Sequence, residues 1–284
     1  MRHIPAVRRR RLGDELRRLR RSAGLTSGET ARLLGWHQSK VSRIETGVSG
    51  VKDTDLAGLL DALRIADPRL RTLLGALAGV PGTGPGWWKA YDGVIPPGYR
   101  DFISLESQAR VVRTLETSVV PGLLQTPGYA RAVTQAALEG LPAATVDSLV
   151  EVRLARQEAL RAPSPLELNA VLDEAVLLRE VGGRGVMREQ LRRLVELARL
   201  PHVCVQVLPF AAGGYVGLTG PFVIFSFPGI TDLDLVVLDH LTNSLYLERK
   251  EELEAYGAAF RTMQARALSP EDSLDLIAGI GDGA

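Results

Sequence analysis

The chain has 284 residues, 45% of them hydrophobic and 24% charged, which is enough apolar material for two buried cores and too much for wholesale disorder. No apolar run approaches the ~20 residues of a membrane span. Met1–Arg11 is basic without the apolar core of a secretory signal, so the expected location is the cytoplasm, with no membrane partner. A net charge of +1 hides an asymmetry: residues 1–80 carry 16 Lys and Arg against 8 Asp and Glu (net +8), and residues 81–284 carry 18 against 25 (net −7). A basic first part beside an acidic remainder is the signature of a nucleic-acid module joined to something that does not bind nucleic acid.

Arg8, Arg9, Arg10 and Arg11 precede the first expected helix, either as an arm along DNA phosphates or as a solvated end. That helix spans roughly Leu12–Ser22, with Leu12, Leu16 and Leu19 on one stripe. Leu25–Gly47 then fits two short helices and a tight turn. Thr26 is a good N-cap, and Glu29 three residues on completes a capping box. Gly35 stops this helix, and a second runs from Gln38 to about Glu45 before Gly47. Val41 and Ile44 share its inner face, next to Ala31 and Leu34. Its outer face presents Gln38, Ser39, Ser42 and Arg43, hydrogen-bonding groups with no acid among them, as a helix in the DNA major groove requires.

This run resembles the helix-turn-helix of the XRE (phage repressor-like) family. The matching residues are Gly24, Leu25, Thr26, Glu29, Ala31, Leu34, Gly35 and the stretch Gln38–Gly47. The resemblance implies a five-helix all-α domain and a structural ion pair between Arg20 and Glu45. Two departures, Thr30 for a buried Leu and Gly28 inside the helix, suggest a weaker second helix. Base contacts are expected from Gln38, Ser39, Ser42 and Arg43, and phosphate contacts from Thr26, Ser27, Lys40 and Lys52. Asp53 or Thr54 caps a fourth helix carrying Leu56, Leu59, Leu60 and Leu63. Asp67 and Pro68 open a fifth with Leu70, Leu73, Leu74 and Leu77.

Residues 79–86 hold four Gly and two Pro and read as a linker between a domain at 1–78 and another at 87–284. Trp87, Trp88 and Tyr91 follow, to stack bases, line a pocket or pack the edge of the second domain. That domain reads as α+β. Strands are expected at 109–116, 166–173, 203–208, 222–227, 233–239 and 244–247. Helices are expected at 127–138, 145–161, 173–180, 188–200, 250–267 and 270–278. Helices first and a run of short strands after argue for an antiparallel or mixed sheet covered by helices.

Several pieces of this part resemble a domain of unknown function that follows the XRE module in actinobacterial, WhiJ-type, antitoxin-like regulators. They are Val120–Ala132, Arg153–Leu160, Val171–Leu191, Val205–Gly214, Gly220–Phe227 and Ala267–Ser273, with Tyr215 departing from an expected His. The resemblance implies gene regulation and a small protein partner, and supplies no catalytic residue.

Metal and catalytic patterns are weak. His3, His37, His202 and His240 have no second ligand at zinc spacing, and Cys204 in an alternating apolar run reads as core. Asp173 and Glu174 with Arg179 read as a helix cap and ion pair before an acid/base site. Gly182, Gly183, Arg184 and Gly185 precede a helix and make a faint anion cradle without a P-loop lysine. Asp232, Asp234, Asp239 and His240 are too irregular for a site. The expectation is therefore a transcription regulator, not an enzyme, without cofactor or metal. It would bind an operator in double-stranded DNA as a homodimer. Its second domain would sense a small-molecule effector, receive a small protein partner as an antitoxin-like component does, or dimerise.

Overall fold

The computed structural model describes residues 5–78, 87–91, 93–227, 234–239 and 244–283. The chain divides into two units by its contacts: Met1–Ala90 with Pro96–Gln108, and Tyr91–Ile95 with Ala109–Ala284. The expected linker at 79–86 lies outside the described residues, as do His3, His240 and Asp232.

The first unit holds six helices among the described residues: α1 (Pro5–Ser22), α2 (Ser27–Leu33), α3 (Gln38–Glu45), α4 (Asp53–Ala62), α5 (Pro68–Leu77) and α6 (Pro97–Glu106). Leu12, Leu16 and Leu19 of α1 are buried, with Val41 and Ile44 of α3, Leu56, Leu59 and Leu60 of α4, and Leu74 and Leu77 of α5. Two expectations are corrected. Arg8–Arg11 stand inside the first helix and not ahead of it, because α1 already begins at Pro5. Arginine is a good helix former, and Arg11 is itself buried. α6 was not among the expected helices. Here Pro97 stands in the first turn, where its missing N–H costs nothing. α6 groups with the first unit, although 87–284 is expected to form one domain. Lys52, not Asp53 or Thr54, is the N-cap of α4.

The second unit is built on six strands: β1 (Val111–Glu116), β2 (Glu167–Asp173), β3 (Val203–Leu208), β4 (Phe222–Ser226), β5 (Leu235–Asp239) and β6 (Ser244–Leu247). Their order is β3-β2-β1-β4-β5-β6. β1, β2 and β3 run parallel, and β4, β5 and β6 add antiparallel, so the sheet is mixed. Parallel neighbours need long crossovers. α7 (Pro127–Ala137) and α8 (Ala143–Arg156) supply the first, α9 (Glu174–Leu178) and α10 (Arg184–Leu197) the second. α11 (Lys250–Arg266) lies over one sheet face, where Leu115, Val171, Leu208, Phe222, Ile224 and Val236 form a core with Phe260 and Met263. α12 (Pro270–Gly283) closes the chain beside α10 and β3. The outer edge of β3 is occupied as well. Val207 donates its N–H to Ser273 Oγ at 2.9 Å and accepts from Leu268 N at 2.9 Å, which removes an edge open to other chains.

α10 starts at Arg184, four residues before the expected Arg188, and this changes the reading of the glycines ahead of it. Gly182 has φ +73°, and a Cβ there would sit 2.9 Å from Ala132 Cβ of α7. The glycine serves close helix packing, where an anion cradle was the alternative. Asp173 caps α9 by accepting from Ala175 N at 2.9 Å. Its other oxygen accepts from Tyr215 Oη at 2.7 Å, and burial and this carboxylate push the Tyr215 phenol up. Among the described residues Arg179 makes no ion pair with Asp173 or Glu174, and Glu174 accepts instead from Phe210 N. Cys204 is half-buried on β3, and burial pushes its thiol up.

The segment between β1 and α7 is held by buried side chains. Tyr129 Oη accepts from Val120 N at 3.1 Å, and Gln125 Nε2 donates to Val120 O at 2.7 Å. Gln157 Nε2 donates to Gln125 O at 2.7 Å. Gln190 accepts from Thr126 N and donates to Leu124 O, both at 2.8 Å. Tertiary glutamines thus satisfy a loop that has no ladder of its own.

Candidate nucleic-acid interface

The turn between α2 and α3 follows from local chemistry. Thr26 accepts from Glu29 N at 3.2 Å, and Glu29 accepts from Thr26 N at 2.8 Å. Hydrogen bonds from the Thr26 hydroxyl, and then from its N–H, hold the Glu29 carboxyl below its ordinary range. α2 ends in a Schellman pattern: Gly35 at φ +65° donates to Arg32 O, and Trp36 N donates to Ala31 O at 2.8 Å. Thr30, where a buried apolar residue was expected, is fully buried. It stays satisfied because its hydroxyl donates to Thr26 O at 3.0 Å.

α3 is then oriented by burying one side. Val41, Ile44 and Glu45 are buried. Arg20 of α1 meets Glu45 in a two-point pair, Nε to Oε1 at 2.5 Å and Nη2 to Oε2 at 3.0 Å, and its Nη1 donates to Leu25 O at 2.6 Å. The Glu45 hydrogen bond raises the Arg20 guanidinium further above its ordinary range. α1 also crosses the end of α3 at backbone distance. A Cβ on Gly13 would lie 2.5 Å from Ile44 O, and one on Gly47 would lie 2.8 Å from Arg10 N. Gly13 was not singled out in the sequence, and a lone Gly inside a helical stripe carries no sign of what crosses it.

The opposite side of α3 is open. Gln38, Ser39, Ser42 and Arg43 are all exposed. Ser39, Ser42 and Arg43 side chains have no hydrogen-bond or ion-pair partner among the described residues, while Gln38 Nε2 donates to Ser27 Oγ at 3.1 Å. The one acid of α3, Glu45, is turned inward. Of the expected phosphate contacts, Lys52 is exposed and unpaired among the described residues, and Thr26 is exposed but engaged in its cap. Lys40 is held between the Trp36 ring, 3.8 Å from its centroid, and Asp55 at 2.9 Å. Arg9 adds a group that the sequence did not distinguish among four arginines. Its Nε is buried with no hydrogen-bond partner among the described residues, and its Cδ lies 3.9 Å from where a Gly50 Cβ would stand, on the loop after α3. Trp88 is buried, edge-on to Trp87 at 5.7 Å between centroids, so this pair packs instead of offering a stacking platform.

No described helix is long and apolar enough to cross a membrane. No cluster of three or more His, Cys, Asp or Glu able to hold a metal ion occurs among the described residues. A Helix-turn-helix domain family matches residues 11–74, and a Domain of unknown function (DUF5753) matches residues 99–279. No curated protein and no solved structure matches the chain. Neither family match carries an actinobacterial source or the WhiJ type. With the helix-turn-helix geometry in place and the second match spanning more than half of the sequence, the chain is a DNA-binding regulator that belongs to the DUF5753 family and carries a helix-turn-helix domain at its N-terminus.

Proposed function

We propose that this protein is an XRE-type transcription regulator that reads an operator through the major groove with Gln38, Ser39, Ser42 and Arg43 of α3. The observation that carries the reading is the outer face of α3, exposed and free of acid, while the opposite face and Glu45 are locked inward by Arg20. Arg43 is the strongest base reader of the four, because a guanidinium fork matches guanine O6 and N7. Ser27, Thr26 and Lys52 position the module on phosphates, joined by Arg9, whose buried nitrogen lacks a partner and runs beside the loop after α3. Lys40 contributes to this field while anchored to Asp55.

One module offers few base contacts, so we place it in a homodimer on half-sites roughly 34 Å apart. The DNA-binding role is assigned to 1–78 and the regulatory role to 87–284, acting in the cytoplasm without enzymatic chemistry. The test is selection of bound duplexes from a random pool by the full-length protein. An enriched, two-fold-related motif is expected, and a pool that stays random after selection sinks the reading.

A second reading, an antitoxin-like component controlled by a small protein partner, draws on one feature. Phe210, Val216 and Leu218 are 58%, 55% and 68% exposed on a single loop. That loop is anchored by Tyr215 to Asp173 and by Arg266 to Gly214 O. Rigidly presented apolar side chains suit protein docking.

A further inference from the structure

We propose that β6 is the dimer surface of this protein, pairing antiparallel with β6 of a second copy about a two-fold axis. The inference rests on the homodimer reading above and gives that dimer a place in the second unit.

The two edges of the sheet are treated differently. β3 ends one side of the order β3-β2-β1-β4-β5-β6, and its outer edge is taken by Leu268 and Ser273. β6 ends the other side, with no strand beyond it among the described residues. There Ser244, Leu245 and Leu247 use no backbone group outside their ladder to β5. An edge strand presents a row of free N–H and C=O groups, which proteins commonly blunt with Lys, Pro, a bulge or a cover. Ser244–Leu247 holds neither a charge nor a proline.

The side chains of β6 suit a second copy. Val236 of β5 belongs to the core under α11, and Leu238 and Leu247 pack against it. Leu247 stands opposite Val236 and Leu245 opposite Leu238, so both leucines lie on the α11 face. Leu245 nevertheless remains 48% exposed. Turned through a two-fold axis at Tyr246, the strand meets its copy with Leu245 opposite Leu247 and Tyr246 opposite Tyr246. Ser244 then falls opposite Glu248. The leucines cover each other and no like charges meet, so the strand is its own complement. The loop bearing Phe210, Val216 and Leu218 also exposes apolar side chains, but it is not a sheet edge. Four residues make a short ladder, so the free dimer is concentration-dependent, and two half-sites on one duplex complete it.

The experiment is sedimentation velocity of the full-length protein up to about 0.1 mM, on wild type, Leu245→Lys and Leu218→Lys. Both replaced leucines are substantially exposed, and circular dichroism checks that the variants fold. The expected result is a reversible dimer in wild type and Leu218→Lys, weakened about tenfold or more in Leu245→Lys. A second readout does not depend on tolerance of lysine. In a Cys204→Ala background, Tyr246→Cys should oxidise to a disulfide-linked dimer and Leu218→Cys should not. Directly opposite Cα atoms of an antiparallel pair lie about 4.5–5.5 Å apart, within disulfide reach. A wild type that stays monomeric overturns the proposal and leaves the edge to a strand of another protein. A dimer that Leu245→Lys leaves intact overturns it too, as does cross-linking no faster at Tyr246→Cys than at Leu218→Cys. Duplex selection separates this claim from the operator reading. A Leu245-dependent dimer with no enriched motif keeps the surface and sinks the reading of α3, and an enriched motif without that dimer does the reverse.

Discussion

The two units use polar side chains in opposite ways. In α3, Ser39, Ser42 and Arg43 are turned outward with no side-chain partner among the described residues, and the structure is spent on holding the helix still beneath them. In the segment between β1 and α7 the polar residues are turned inward, and Gln125, Gln157, Gln190 and Tyr129 satisfy a loop from the inside. The difference teaches how to tell a reading surface from a scaffold. Unpaired donors on a braced helix are available to a partner, whereas fully paired ones have already been used by the fold.

That contrast can be broken first at its braces. Glu45→Ala or Arg20→Ala leaves one buried charge alone and should cost on the order of 3–5 kcal/mol in chemical denaturation. The double variant should lose much less than the two single losses added, and simple additivity would show that the pair is not coupled.

Next comes the inward network. Gln190 is fully buried and holds two backbone groups, so Gln190→Leu orphans Thr126 N and Leu124 O. A loss of roughly 2–4 kcal/mol is expected in urea unfolding. Gln38→Ala, on the outer face, should change stability by less than about 0.5 kcal/mol. Similar losses for both would erase the distinction.

Glu116, at the end of β1, tests the inward side by pH. Burial pushes its carboxyl from the ordinary 4.5 up to about 7, against the opposing effect of a hydrogen bond from Thr114. Because the folded value lies above the unfolded one, the protonated form is favoured by folding. Its stabilising contribution is present below about pH 4.5 and is lost as pH rises through 7. Unfolding free energy should therefore fall across this window by up to about 3 kcal/mol, and Glu116→Gln should flatten the profile. A variant with the wild-type pH slope would show that another group titrates.

The outward side is tested on DNA. Arg43→Ala should weaken cognate binding by about 1–3 kcal/mol and relax preference at one base pair. Equal loss on random DNA would make Arg43 a phosphate contact. The smallest effect is expected from Arg9→Ala, which should weaken all duplexes alike and lower the salt slope by about 1. An unchanged slope means that Arg9 is a structural residue of α1.

Much of the first unit was legible because its determinants are local. A Thr26/Glu29 capping box, Gly35, Gly47 and the Val41/Ile44 spacing lie within a few residues of one another, and propensity and capping act over that range. The sheet strands were legible for the same reason, as short alternating runs bounded by turns. Their pairing was not. Alternation says that a strand has two faces, but not that β1 lies between β2 and β4, which made the sheet mixed. α6 was not among the expected helices, although helix N-termini accept proline such as Pro97. The α1 extension was missed because a run of like charges reads as solvated.

By itself, the sequence determined where α3 begins and ends, which of its faces is polar, and how charge divides along the chain, since all three are set by neighbours in sequence. Only the tertiary structure decided what each polar group is for. Gln190 and Gln38 are the same residue type in helices of similar pattern. One is fully buried, holding a loop more than sixty residues away, and the other stands exposed at the start of a braced helix. Likewise Arg113 reads as one position of an alternating strand until β2, β4 and α11 close around it. Burial and partnership arise from long-range packing, and no local pattern encodes them.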